Sequence, residues 1–112
     1  MKKIILLCLL SSLALAGKWE YLVYVTGLEF KDKKMTHFAV INENGKKVGI
    51  GYGDNSQAAN AQMLREYFGK FTYDKAYEMD VLAMLGAQKW ELVAVHGELN
   101  NSNQKYYFKK ER

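Results

Sequence analysis

The dipeptide Asn44-Gly45 places the strongest local constraint on what this chain can fold into. On either side lie residues 36–42 (THFAVIN) and 47–53 (KVGIGYG), both of which contain β-branched and aromatic residues. Asn and Gly tolerate the positive φ angles of a type I′ turn, and the twist of that turn matches the twist of two antiparallel strands. The sequence therefore predicts a β-hairpin here and, with it, an antiparallel sheet.

Three further segments are typical of strands. Residues 19–26 (WEYLVYVT), 90–97 (WELVAVHG) and 105–110 (KYYFKK) are rich in the residue types that favour extended backbone. The charged segment 28–35 predicts a connecting loop. The polar segment 98–104 (ELNNSNQ) predicts an exposed connection between the last two strands.

Two helices are predicted between the β-hairpin and the strand over residues 90–97. The first runs from about residue 56 to 69 after Asp54 and Asn55, whose side chains can cap a helix N-terminus. The second runs from about residue 73 to 85, with Gly86 as its C-terminal cap. Near one face of the first helix, at three- and four-residue spacing, fall Ala61, Leu64 and Phe68, and Phe71 continues that spacing beyond its end. The inward positions of the second helix are Met79, Leu82 and Leu85.

The order β-β-β-α-α-β-β predicts an α+β domain. Such a domain contains one antiparallel sheet of about five strands with two helices packed on one face.

The first sixteen residues have the pattern of a bacterial secretory signal peptide. Two lysines precede an apolar run over residues 4–16, and Ala14 and Ala16 lie at a small-x-small cleavage site before Gly17. As a helix that run would rise about 20 Å, short of the roughly 30 Å hydrocarbon core of a membrane. We expect residues 1–16 to be removed and residues 17–112 to form one exported domain, periplasmic or secreted.

Two alternatives for the N-terminus stay open. It could be retained as a membrane anchor or as a buried helix. Lipidation of Cys8 is disfavoured because Leu6 and Leu7 precede it, where lipoprotein processing requires a small residue.

The composition of residues 17–112 excludes several classes of function. Cys8 is the single cysteine of the chain, so the mature domain has no disulfide and no thiol nucleophile. Without Lys2 and Lys3, 14 basic residues remain against 12 acidic ones, a net charge of +2. The basic residues are mostly interleaved with acidic residues, whereas a nucleic-acid-binding domain usually presents a contiguous basic stripe. We expect no nucleic-acid partner.

No pattern of metal or cofactor binding is present. His37 and His96 are the only histidines, and neither belongs to an HxH or HxxxH pair. The alternating glycines Gly49, Gly51 and Gly53 match neither the dinucleotide fingerprint nor the phosphate-binding loop. They share one strand face, which indicates a place where an aromatic ring or another backbone packs closely.

An enzymatic role has only one candidate constellation. Glu20 and Glu91 each follow a tryptophan at the start of a predicted strand, and His96 ends one of those strands. A small envelope enzyme that uses a Glu/His site is therefore the alternative to a non-catalytic role.

Strand tyrosines are the main candidates for a binding surface. Tyr24, Tyr52, Tyr106 and Tyr107 fall on predicted strands, where successive side chains point to opposite faces, so some should be exposed. Alternatively, they pack under the helices or form cross-strand pairs. The sequence favours an exported, non-catalytic module that binds a protein or a cell-envelope component through its sheet or through residues 98–104.

Three segments carry a resemblance to a known family. These are residues 19–21 (WEY), 82–93 (LAMLGAQKWELV) and 106–109 (YYFK). Together they resemble domain of unknown function 4177, a family of small bacterial domains, although Lys89 stands where its members usually have glycine. The resemblance implies an α+β fold and no particular activity, and residues 31–71 lie largely outside it.

Overall fold

The computed structural model describes residues 19–97 and 103–111. In chain order the elements are β1 (Trp19–Lys31), β2 (Lys34–Glu43), β3 (Lys46–Gly53), α1 (Ser56–Phe68), α2 (Glu78–Ala87), β4 (Glu91–Gly97) and β5 (Gln104–Glu111). The predicted signal peptide with its cleavage site at Ala14, Ala16 and Gly17 lies outside the described residues, as does most of the predicted 98–104 connection.

The five strands form one sheet in the order β3-β2-β1-β5-β4. Every neighbouring pair is antiparallel, and β1 lies at the centre. The predicted α+β class and the order β-β-β-α-α-β-β are therefore confirmed.

The β2–β3 hairpin turns at the predicted dipeptide. Asn44 has φ 52° and Gly45 has φ 87°, the two positive values that a type I′ turn requires. The Asn44 side chain also accepts a hydrogen bond from the Tyr21 backbone N–H at 2.9 Å, and its own N–H donates to the Tyr21 carbonyl at 2.8 Å. The turn is thus bonded to the central strand as well as to its own hairpin.

The prediction of a loop over residues 28–35 is wrong. β1 and β2 continue as a two-stranded ribbon that turns at Asp32 and Lys33, both with positive φ. Beyond Thr26, β1 has no register partner on β5, so the ribbon extends past its neighbour. At the tip of the ribbon, Phe30 and Met35 are 70% and 56% exposed, so no alternation of buried and exposed residues marks it. Its turn contains no glycine either, and residues 28–35 therefore lack the usual signal of a hairpin.

The glycines of β3 lie directly beneath α1. A Cβ on Gly51 would come within 2.6 Å of the Met63 backbone nitrogen and would also meet the Ala59 carbonyl oxygen. A Cβ on Gly53 would lie 2.7 Å from Ala58 Cβ, and one on Gly49 would lie 3.0 Å from Tyr67 Cβ. The expected close approach of another backbone is confirmed, and that backbone belongs to α1.

Helix α1 begins and ends close to the predicted positions. The Asn55 side chain accepts from the Ala58 backbone N–H at 2.8 Å and caps the N-terminus. Gly69 takes the left-handed conformation at the C-terminus, with φ 78°. The core lies between this helix and the sheet; its strand members are Leu22, Tyr24, Ala39, Ile41, Tyr106 and Phe108, and its members from α1 are Ala59, Ala61, Met63 and Leu64.

Helix α2 is displaced from its prediction. It begins at Glu78 because the Asp80 carboxylate accepts from the Tyr77 backbone N–H at 2.9 Å, and the segment predicted to form its first turn is not helical. Gly86 lies inside the helix and is not its cap; Met79, predicted to point inward, is 73% exposed. The chain turns instead at Lys89, whose φ of 75° is the left-handed conformation that glycine adopts most readily.

We expect Gly51→Ala to destabilise the domain by about 3 kcal/mol, because the added methyl group collides with the α1 backbone, which cannot move aside independently of the core. Urea unfolding followed by circular dichroism measures the effect. The matched control is Gly86→Ala, where an added Cβ meets no atom of the described residues within 4 Å beyond its chain neighbours and its own helix backbone. Alanine there should raise stability by about 0.5–1 kcal/mol. Equal effects of the two substitutions would contradict the role given to Gly51.

Candidate functional site

The sheet has one face packed against the helices and one face turned away from them. Buried strand residues such as Leu22, Tyr24 and Ile41 belong to the core shared with α1 and α2. Their strand neighbours point to the opposite side, because side chains alternate along a strand. We call this opposite side the open face; its members include Tyr21, Val23, Val25, Phe38, Val40, Ile50, Tyr52 and Tyr107.

The centre of the open face is apolar. Val25 pairs with Val40 on β2, and Val40 pairs with Ile50 on β3, so three branched side chains form one row across three strands. Beside that row, Val23 pairs with Tyr107 on β5. Val40 in the middle of the row is 8% exposed, and Val25 and Ile50 on either side of it are half-buried.

Charged side chains lie where the open face reaches β5 and β4. Lys109 pairs with Tyr21 on one side and with Glu91 on the other. Lys105 pairs with Val25 and with His96. The open face therefore has an apolar centre and, toward the β4 edge, a border of both charge signs.

The four tyrosines predicted to form a binding surface divide into two pairs. Tyr52 and Tyr107 lie on the open face and are partly buried. Tyr24 and Tyr106 are buried under the helices, 0% and 8% exposed, with their rings stacked at 5.3 Å. The prediction of a surface role is wrong for Tyr24 and Tyr106, because the strand register points both rings toward α1 and α2. For Tyr52 and Tyr107 it stays a prediction.

A chain of hydrogen bonds fixes Tyr24 beneath the helices. Its hydroxyl donates to Asn60 Oδ1 at 2.6 Å, and Asn60 Nδ2 donates to the Ala76 carbonyl oxygen at 3.0 Å. Asn60 is fully buried in α1. The network joins the central strand, α1 and the segment before α2, and it satisfies both polar ends of the asparagine amide.

A hydrogen bond to α2 fixes Tyr106, the ring stacked on Tyr24. Its hydroxyl donates to the Glu78 carboxylate at the start of α2. Burial, together with that carboxylate, raises the pKa of Tyr106 to about 12, and burial also raises the pKa of Tyr24. Both phenols therefore keep their protons at neutral pH and act as hydrogen-bond donors, which indicates a structural role and not that of a general base.

The Glu/His constellation is not assembled. Glu20 pairs with Lys110 and Glu91 pairs with Lys109, and these adjacent lysines of β5 point to opposite faces of the sheet. His96 lies five positions along β4 from Glu91, roughly 16 Å away. Within residues 19–97 and 103–111, no group of three His, Cys, Asp or Glu side chains is arranged to hold a metal ion.

The two strand-opening tryptophans occupy similar positions on opposite faces. Lys109 Nζ lies 4.4 Å from the Trp19 ring centroid, and Lys110 Nζ lies 4.4 Å from the Trp90 ring centroid. Both contacts are within the range of cation–π attraction. Consecutive lysines of β5 thus each cover an indole at the start of a flanking strand.

Comparison with family models, curated proteins and solved structures gave no match for this chain. The resemblance to domain of unknown function 4177 stays a prediction. No helix in the described part of the chain is long and apolar enough to cross a bilayer.

The buried, hydrogen-bonded position of Asn60 was not predicted from the sequence. A signal for it was present, because Asn60 lies three and four positions before Met63 and Leu64 and therefore shares their inward face. A polar side chain on an apolar helix face implies a buried hydrogen-bond partner.

We expect Tyr24→Phe to destabilise the domain by about 2 kcal/mol, because it leaves the buried Asn60 Oδ1 without its donor. Tyr107→Phe is the matched control: it removes a hydroxyl from the open face and should change stability by less than about 0.5 kcal/mol. Chemical denaturation of both variants measures the difference. Equal losses would show that the buried hydroxyl makes no special contribution.

Proposed function

We propose that the chain is an exported, non-catalytic binding module of the bacterial cell envelope, and that it holds a protein partner on the open face. The observation that carries this proposal is the Val25–Val40–Ile50 row, an apolar strip on the sheet side turned away from both helices. Apolar surface of this kind, bordered by charged residues, is typical of an interaction site.

A protein suits this surface better than a nucleic acid. Protein interfaces combine an apolar centre rich in aromatic residues with a polar rim, and Val23 with Tyr107 adjoins that centre here. The border contains Glu91 as well as Lys105 and Lys109, so it lacks the uniform positive charge that binds phosphates. Residues 98–104 remain a second proposed contact region.

The non-catalytic part of the proposal is supported by the separation of the ionisable groups. Glu20 and Glu91 occupy opposite faces, and His96 lies at the far end of β4 from Glu91. Catalysis by paired groups requires that they reach one substrate atom.

Export is tested by the intact mass of the full-length chain, expressed in a bacterium and recovered from osmotic-shock fluid and from membranes. We expect a soluble species that begins at Gly17, because the small-x-small triplet ends at Ala16. Changing Ala14 and Ala16 to Phe should block cleavage and retain the precursor. A membrane-bound species that keeps Met1, or that carries an acyl group on Cys8, would contradict the proposal.

Partner binding is tested with a photo-crosslinking amino acid at Tyr107, which should yield an adduct of one discrete mass in the envelope fraction. The control position is Met79, exposed on α2. Once that partner is identified, Tyr107→Ala should weaken binding about tenfold or more, as expected for a central aromatic contact.

Tyr73→Ala is the matched control for affinity, since Tyr73 is 71% exposed in the connection between the helices. It should leave binding unchanged. Binding that responds to Tyr73→Ala and not to Tyr107→Ala would place the interface on the helical side and overturn the proposal.

A further inference from the structure

The two edges of the sheet are protected very differently. At the β3 edge, α1 lies against the strand, and the Tyr52 backbone N–H donates to Gln62 Oε1 at 2.7 Å. At the β4 edge, all seven residues are exposed, including Leu92, Val93 and Val95 at 43%, 49% and 53%. An exposed apolar edge strand presents unpaired backbone groups to another strand.

A bulge gives β4 an unusual pattern of faces. Leu92 pairs with Phe108 and Val95 pairs with Tyr106, both core residues, so Leu92 and Val95 point to the helix side. Glu91 and His96 pair with Lys109 and Lys105 and point to the open side. In a regular strand, residues an odd number of positions apart point to opposite faces. The register shift at Val93, between Leu92 and Ala94, removes that rule here, so Leu92 and Val95 share one face and Glu91 and His96 share the other.

The resulting order of faces reads the same in both directions. From Glu91 to His96 it runs open side, helix side, the two bulge residues Val93 and Ala94 that together oppose Tyr107, helix side, open side. Because directly opposed residues of antiparallel strands share a face, β4 can pair with another β4 about a two-fold axis between Val93 and Ala94. Glu91 then lies opposite His96 of the second copy, and Leu92 opposite Val95.

We propose that β4 is a homodimerisation edge, where two copies join their sheets in this antiparallel register. On the helix side, the row Phe108–Leu92 of one copy continues into Val95–Tyr106 of the other, so exposed apolar side chains become buried at the junction. Burial of apolar surface at this continuous row favours association.

The charges on the open side favour a second copy as the occupant. Glu91 of one copy faces His96 of the other, next to Lys105 in the same row. The two-fold axis repeats this contact, so each dimer contains two such pairs. The Glu91 carboxylate thus approaches the Lys105 ammonium of the other copy, and opposite charges brought together at an edge fix the register of pairing.

Sedimentation equilibrium of the protein recovered from the expressing bacterium measures the association, and charge exchange tests its register. Glu91→Lys and His96→Glu, each alone, should weaken the dimer about tenfold or more. The first places an ammonium beside Lys105 of the other copy, and the second places a carboxylate opposite Glu91. The double variant should restore the dimer to within about threefold of the original. A monomer at all concentrations, or a dimer indifferent to these changes, overturns the proposal.

Disulfide trapping provides a second test, in a Cys8→Ala background that has no other cysteine. The double variant Glu91→Cys/His96→Cys should form a covalent dimer under oxidation, since the proposed register brings these positions of two copies opposite each other. Each single cysteine variant is the control and should stay largely uncrosslinked, because its own equivalent lies about five residues away along the edge.

The outcome does not depend on the partner proposed for the open face. Trapping equal in the single and double variants would show random collision and overturn the assignment. Partner binding that survives in a strictly monomeric protein would overturn the homodimer alone, whereas a trapped dimer that binds no partner would overturn only the proposed function.

Discussion

The close contact between the backbones of α1 and β3 is the constraint on which the rest of the fold depends. Gly49, Gly51 and Gly53 leave no side chains between helix and strand, so α1 lies closer to the sheet than ordinary side chains would allow. At that distance Asn60 reaches the hydroxyl of Tyr24 on the central strand, and Asn60 in turn holds the segment before α2 through the Ala76 carbonyl. The three glycines of β3 thus determine which face of the sheet α1 packs against.

The buried polar network follows from this close packing and explains why strand tyrosines do not all serve one purpose. Tyr24 and Tyr106 stack beneath the helices, and each hydroxyl has a specific acceptor on a helix, Asn60 or Glu78. A buried polar group that is fully bonded specifies one arrangement of the core, because any other packing leaves it unsatisfied. Tyr107, the next residue after Tyr106, points to the opposite face and does not belong to this buried network. The same residue type at adjacent positions therefore has different physical roles.

Local sequence chemistry predicted much of the fold and less of the site. Asn44-Gly45 predicts a type I′ turn, and the β3 glycines predict the close approach of an aromatic ring or another backbone; the turn and the backbone approach are both confirmed. The ribbon around Asp32 was missed because the apolar side chains at its tip, Phe30 and Met35, are exposed, so no alternation of buried and exposed residues marks it. The start of α2 was missed because it depends on the Asp80 cap rather than on apolar spacing. Assigning each tyrosine to a face required the strand register, which tertiary pairing determines.

The open face and the β4 edge are geometrically linked. A two-fold axis that pairs two β4 strands with their faces matched must run perpendicular to the sheet, so both open faces lie on the same side of the joined sheet. The two apolar rows would then point in one direction, separated by the strands between them. A partner with two copies of its own binding segment would meet both rows at once, and its second contact would form at a high effective concentration. Pairing at β4 therefore leaves the proposed binding surface accessible and makes it bivalent, which a face-to-face packing of two sheets would not do.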